Sequence, residues 1–146
     1  TDPESFLEYL KLPTIRQKMI TRHDLRANPS VLYVFGDNEE RTGSSGQAGE
    51  MRGEKNAIGI RTKRAPGTQS GDYWSDEKYE KYARFINEDF ERVVEHLKRG
   101  GIVVIPFDGL GTGLAQLEKR APRVADYLDR FVSNLTNWFA SVTPSI

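Results

Sequence analysis

The chain has 146 residues, with 21 Lys and Arg against 21 Asp and Glu. The resulting zero formal net charge argues against a general polyanion binder, so no extended nucleic-acid partner is expected and any basic patch must be local. With no Cys and only two His, His23 and His96, disulfides, thiolate metal sites and a Cys nucleophile are excluded, and no metal or cofactor is expected. No apolar run approaches the roughly 20 residues that span a bilayer, and the chain opens on no signal-peptide pattern. The expectation is one cytoplasmic domain over residues 1–146 without a membrane partner.

Residues 1–13 read as a helical extension, since Phe6, Leu7 and Leu10 recur at helical spacing behind Pro3 and an acidic first turn, and Pro13 ends the pattern. A short edge strand is expected within Thr14 to Ile20, then turn and cap chemistry from Arg22 to Pro29. Val31 to Phe35 is apolar on both faces, as in a central strand covered on both sides. A glycine-rich segment, 43–53, leads into a short helix around Ala48 to Met51, and Ala57 to Thr62 reads as another strand. Residues 64–76 are rich in turn formers and read as a long surface loop. Ser75-Asp-Glu-Lys offers an N-cap for a long helix in which Tyr82, Ala83, Ile86, Phe90, Val93, Val94 and Leu97 keep a 3.6-residue period up to Gly100-Gly101. His96 lies beside that stripe and reads as structural. A strand at Ile102 to Ile105, a second glycine loop and a last helix with Pro122 near its N-terminus complete the chain, the helix carrying Val124, Leu128, Phe131, Val132, Leu135 and Phe139 on one stripe. Alternating strands and helices predict an α/β fold: a three-layer α/β/α sandwich around a mixed, mostly parallel sheet.

The most informative stretch is Ile102-Val-Val-Ile-Pro-Phe-Asp-Gly-Leu-Gly-Thr-Gly113, a β-branched run feeding a loop with three glycines in five residues. Gly109, Gly111 and Gly113 carry no Cβ, so their backbone can approach a phosphate, and Thr112 adds a hydroxyl. It fits neither the G-x-G-x-x-G nor the G-K-[ST] fingerprint. Ligands of open α/β sheets bind beyond the carboxyl ends of the strands, which brings Phe35 to Asn38, Thr62-Lys63 and Phe107 to Gly113 to one rim. Asp37-Asn38 would either orient a ribose hydroxyl or a water, or form an ordinary Asx turn. The segment 43–53, with Gly43, Gly46, Gln47 and Ala48, is either a second ligand loop or a mobile surface excursion. Tyr73-Trp74 either packs on the protein's own helices or stacks on a base. Lys63-Arg64 either meets a phosphate or is a solvated strand end.

In this order the motifs resemble those of the macro domain, the ADP-ribose-binding α/β/α module. Ile20-Thr-Arg-His-Asp-Leu25 and Val31-Leu-Tyr-Val-Phe-Gly-Asp-Asn38 resemble that family's opening, and Ile105-Pro-Phe-Asp-Gly-Leu-Gly-Thr-Gly113 resembles its phosphate loop. The resemblance covers roughly residues 14 to 132. It implies that Asp24, with Leu25, meets the adenine, that Asn38 faces the distal ribose, and that Gly109 to Gly113 cradle the pyrophosphate; if the site is catalytic, Asn38 and Asp37 would position the water or the ribose hydroxyl. Phe35, Gly36, Gly43, Gly46, Gln47, Ala48, Phe107, Asp108, Leu110, Thr112 and Leu114 complete the implied ligand contacts, with Asp108 turned away from the phosphates. The chain departs from the family where His23 replaces a glycine, Gly36-Asp37 replaces Ala-Ala, and Gln47 lies near an acidic position of hydrolytic members. Three readings stay open: binding of ADP-ribose or a related adenine nucleotide with hydrolysis of an ADP-ribosyl derivative, sequestration of such a nucleotide without chemistry, and a protein or RNA-end interaction module. Oligomeric state is not legible.

Overall fold

The computed structural model describes residues 14–141, with side chains to Asn134. The helix expected within residues 1–13 lies outside them, as do the side chains of Leu135 and Phe139. Four strands, β1 (Thr14–Gln17), β2 (Leu32–Asn38), β3 (Ala57–Lys63) and β4 (Val103–Pro106), form one sheet in the order β1-β4-β2-β3. Each passage between strands contains a helix: α1 (Arg22–Ala27), α2 (Gln47–Met51) and α3 (Tyr79–Lys98). Such crossovers return the chain in the same direction, and every pairing among the described residues is parallel. The mixed sheet expected from the sequence is, over these residues, wholly parallel. After β4 come α4 (Leu117–Arg120) and α5 (Pro122–Ser141).

Side chains alternate across the sheet. Leu32, Val34, Val103 and Ile105 join Ile86, Phe90, Val93 and Leu97 of α3 and Val124, Leu128 and Val132 of α5 in one apolar cluster. Tyr33, Phe35 and Val104 join Ile20, Leu25 of α1 and Met51 of α2 in another. Helices therefore supply apolar cover to both faces, as the two-sided strand patterns require, and the arrangement is compatible with three layers. Among the described residues no helix is long and apolar enough to cross a membrane.

Two local expectations are corrected, at Arg22 and at Ser75. The stretch from Arg22 is helical, although only Leu25 is buried, because Thr21 and Asp24 form a reciprocal capping box. The segment 64–76 is the surface loop expected, exposed over 66–71, with a 3-10 turn at Ser70–Asp72 and another starting at Asp76; of the two readings of its aromatic pair the structure has packing on the protein's own helix at Trp74, which is 1% exposed. Trp74 stacks on Tyr82 at 4.1 Å and 4°, and its Nε1 donates to Glu39 at 2.9 Å. Ser75 makes no capping bond; instead the Asp76 carboxylate accepts the Arg123 and Val124 amides at 3.0 to 3.2 Å, capping α5 behind Pro122.

Candidate functional site

Beyond the carboxyl ends of β2, β3 and β4 lies a cavity of about 570 Å³, within the size range of small-molecule sites. The ends of the three strands contribute Gly36-Asp37-Asn38, Thr62-Lys63 and Pro106 to its lining. At the β2–β3 edge the register slips: Asp37 pairs with Arg61 and Asn38 with Lys63, leaving Thr62 as an extra residue. This bulge re-aims the strand end, so that Thr62 and Lys63 are both buried at the cavity.

Both glycine segments reach the same space. Gly109, Gly111, Thr112, Gly113 and Leu114 line it from one side, and Gly43, Gly46, Gln47 and Ala48 from the other. Gly109, Gly111 and Gly113 have φ of +89°, +77° and +58°, values that side-chain-bearing residues rarely adopt. The loop is closed on itself by Gly109 N–H donating to Pro106 O at 2.9 Å and Leu117 N–H to Gly111 O at 2.9 Å. Among the described residues, the amides of Gly111, Thr112 and Gly113 donate to no protein acceptor, and neither do those of Ser45, Gly46 and Gln47. The two segments approach one another where Leu114 Cδ1 lies 3.7 Å from the position a Cβ on Gly46 would take; Leu114 is 60% exposed.

Asp37 and Asn38 line the cavity, but their polar atoms are engaged. Asp37 Oδ1 accepts from the Asn38 amide at 2.8 Å and Arg52 Nη2 at 2.7 Å, while Oδ2 accepts from Arg52 Nη1 and Arg41 Nη1, each at 3.2 Å. Asn38 Nδ2 donates to Thr42 O at 2.7 Å and its Oδ1 accepts from the Thr42 amide. Arg52 also donates to Gly43 O at 2.8 Å and Thr42 O at 3.1 Å. Gly59 leaves room for this carboxylate, since a Cβ there would overlap Asp37. With both carboxylate oxygens and both carboxamide atoms engaged by Arg41, Arg52, Thr42 and the Asn38 amide, Asp37 and Asn38 tie the 38–52 segment together. Gln47, at the cavity edge, pairs with both the amide and the carbonyl of Ile20 at 3.1 and 3.0 Å.

Six residues expected at the ligand are not among the cavity walls. Asp24 caps α1, accepting the Thr21 amide at 2.9 Å and Gln17 Nε2 at 3.0 Å; the Thr21 amide above all holds its carboxyl below the usual range. Leu25 and Phe35 belong to the core beneath α1 and α2, and Leu110 to the core on the other face. Phe107 and Asp108 are exposed, Phe107 with Lys18 Nζ 4.6 Å above its ring. Chain order alone cannot distinguish these positions, because adjacent residues of a strand or tight loop face opposite ways.

Arg52 is a lining residue to which the sequence assigned no site role, while Lys63 and Tyr73, each read with a ligand-contact alternative, also line the cavity. Lys63 Nζ donates to Gly67 O at 2.6 Å and sits 4.5 Å from the Tyr73 ring centre. Burial pushes its pKa down, with Arg120 adding to that shift and Asp72 opposing it. Among the described residues no group of three or more His, Asp or Glu side chains is gathered to hold a metal.

The chain matches the model of a family of unknown function, DUF7831, over residues 15–131. It belongs to that family. The DUF7831 match contains every residue that lines the cavity. No curated protein and no solved structure matches the chain.

Proposed function

We propose that the cavity binds a nucleotide diphosphate of the ADP-ribose class and holds it without chemistry by Asp37 or Asn38. The observation that carries this reading is the set of uncommitted amides in two glycine segments lining one cavity, Gly111 to Gly113 and Ser45 to Gln47. Backbone amides presented by glycines at positive φ suit phosphate oxygens, and Thr112 adds a hydroxyl. Asp37 is the carboxylate among the lining residues, and Arg41 and Arg52 balance its charge, so it does not repel an anion. Ala48, Pro66 and Leu114 supply apolar wall for a ribose or base face. The resemblance of Ile105 to Gly113 to the macro-domain phosphate loop supports the ligand class. Asp24 has no part in it.

The preference for binding over turnover rests on the engaged atoms of Asp37 and Asn38. Calorimetry with ADP-ribose tests the ligand: the protein binds it, and Thr112→Glu, which adds a negative charge at an exposed lining position, weakens binding at least tenfold. Absence of binding at millimolar ligand, or an unchanged Thr112→Glu affinity, defeats the reading. ADP-ribose is recovered intact after long incubation; multiple turnovers that survive Asp37→Asn and Asn38→Ala would place catalysis elsewhere, and turnovers abolished by either variant would restore the catalytic role.

A further inference from the structure

Another wall of the same cavity, formed by Thr62, Lys63, Pro66, Thr68 and Tyr73, carries an ammonium that no carboxylate among the described residues pairs with directly. Lys63 is 7% exposed and takes part in no ion pair among the described residues. Its ammonium has a carbonyl, Gly67 O, and the face of Tyr73. The same ring carries a second cation: the Arg120 guanidinium carbon lies 3.7 Å from its centre. Arg120 Nε donates to Gln116 Oε1 at 2.8 Å, an uncharged partner on another lining residue. Asp72 is the nearby carboxylate that favours a charged Lys63, but its oxygens already receive Arg64 Nη2 at 2.6 Å and the Gln69 amide at 3.0 Å.

A buried ammonium without a counter-ion is costly, and a guanidinium over the same ring adds repulsion. Compact proteins retain such an arrangement where something else supplies the negative charge. We infer that the ligand carries, in addition to its diphosphate, a further anionic group of the phosphomonoester type, which lies against Lys63 and Arg120 beside Tyr73. This inference rests on the reading of the cavity as a nucleotide site. It makes the site one for a doubly substituted nucleotide, with backbone amides meeting one phosphate group and side-chain cations the other. Lys63 and Arg120 then discriminate among nucleotides, and the glycine segments recognise what those nucleotides share.

Two matched pairs of probes separate the two claims: ADP against adenosine 3′-phosphate 5′-diphosphate, and ADP-ribose against ADP-ribose 2′-phosphate. In at least one pair the additional phosphate tightens binding tenfold or more, and Lys63→Met brings that ratio to about one. Parents that bind with no gain from the additional phosphate overturn this inference and leave the nucleotide site standing. A gain that persists in Lys63→Met also overturns it. No binding by any of the four defeats the nucleotide reading and the inference with it. Thermal unfolding of the ligand-free Lys63→Met variant is a second readout: its Tm is unchanged or raised, whereas a purely structural Lys63, anchoring Gly67, predicts a fall.

Discussion

Substituting Arg52 by Met isolates the ion pair that shapes the cavity floor. Asp37 has a side chain 3% exposed, and Arg52 gives its two oxygens bonds of 2.7 and 3.2 Å while tying Gly43 O and Thr42 O to the same guanidinium. Met retains much of the apolar stem but none of these donors, nor the guanidinium carbon that lies 5.4 Å from the Phe35 ring centre. Removing one partner of a buried pair costs about 3–5 kcal/mol when the remaining charge has no other partner. Here Arg41 still reaches Asp37 at 3.2 Å and the Arg52 side chain is 25% exposed, so the expected loss is nearer 2 kcal/mol, read as a fall in Tm on the order of 8 °C. Urea unfolding of Arg52→Met, Asp37→Asn and the double variant measures it. The double variant should be more stable than the sum of the singles by about 1 kcal/mol, because a carboxamide leaves no charge stranded. A loss below about 0.5 kcal/mol in Arg52→Met, or strict additivity, would refute the assignment of this pair as the clamp of the 38–52 segment.

Gly111→Ala should destabilise more than Gly113→Ala, since a Cβ at Gly111 would lie 2.7 Å from Leu117 Cδ2 whereas none at Gly113 meets an atom within 4 Å. Both carry the cost of a left-handed backbone, roughly 1–2 kcal/mol, and equal unfolding midpoints would contradict the overlap. Trp74→Ala should cost about 3–5 kcal/mol by denaturation, the price of a buried aromatic, whereas a cost under 1 kcal/mol would mean that segment 64–76 is not anchored by it. Lys63 has a folded pKa below its ordinary 10.5, so between those values the unfolded chain binds more protons and stability rises with pH. Lys63→Met removes that rise, which paired urea titrations across the alkaline range would detect as parallel curves if the reasoning is wrong. A bound anion favours the charged ammonium, so affinity should fall as pH climbs through the same window, and calorimetry at successive pH values checks the direction.

Much of the layer order was legible. The stripe from Tyr82 to Leu97 and the two-faced apolar runs at Val31 and Ile102 are local patterns, and the period of a pattern depends only on the element that carries it. The glycines at 109, 111 and 113 were legible for a similar reason, because a backbone that must turn through positive φ selects glycine wherever it occurs. The helix at Arg22 was hidden because its stability comes from a cap and one buried leucine rather than from a periodic stripe.

The sequence by itself determined the alternating α/β order, the two glycine segments and the side of the sheet on which they would meet. Only the tertiary structure decided what the polar residues do. Asp76 caps a helix that begins at Pro122, Asp24 is spent on its own helix, and Asp37 is balanced by arginines 4 and 15 residues on. Lys63 sits buried beside Arg120 and, among the described residues, pairs with no carboxylate. A hydrogen bond or ion pair depends on a few ångströms between groups brought together by the whole fold, whereas apolar periodicity is written along a single element.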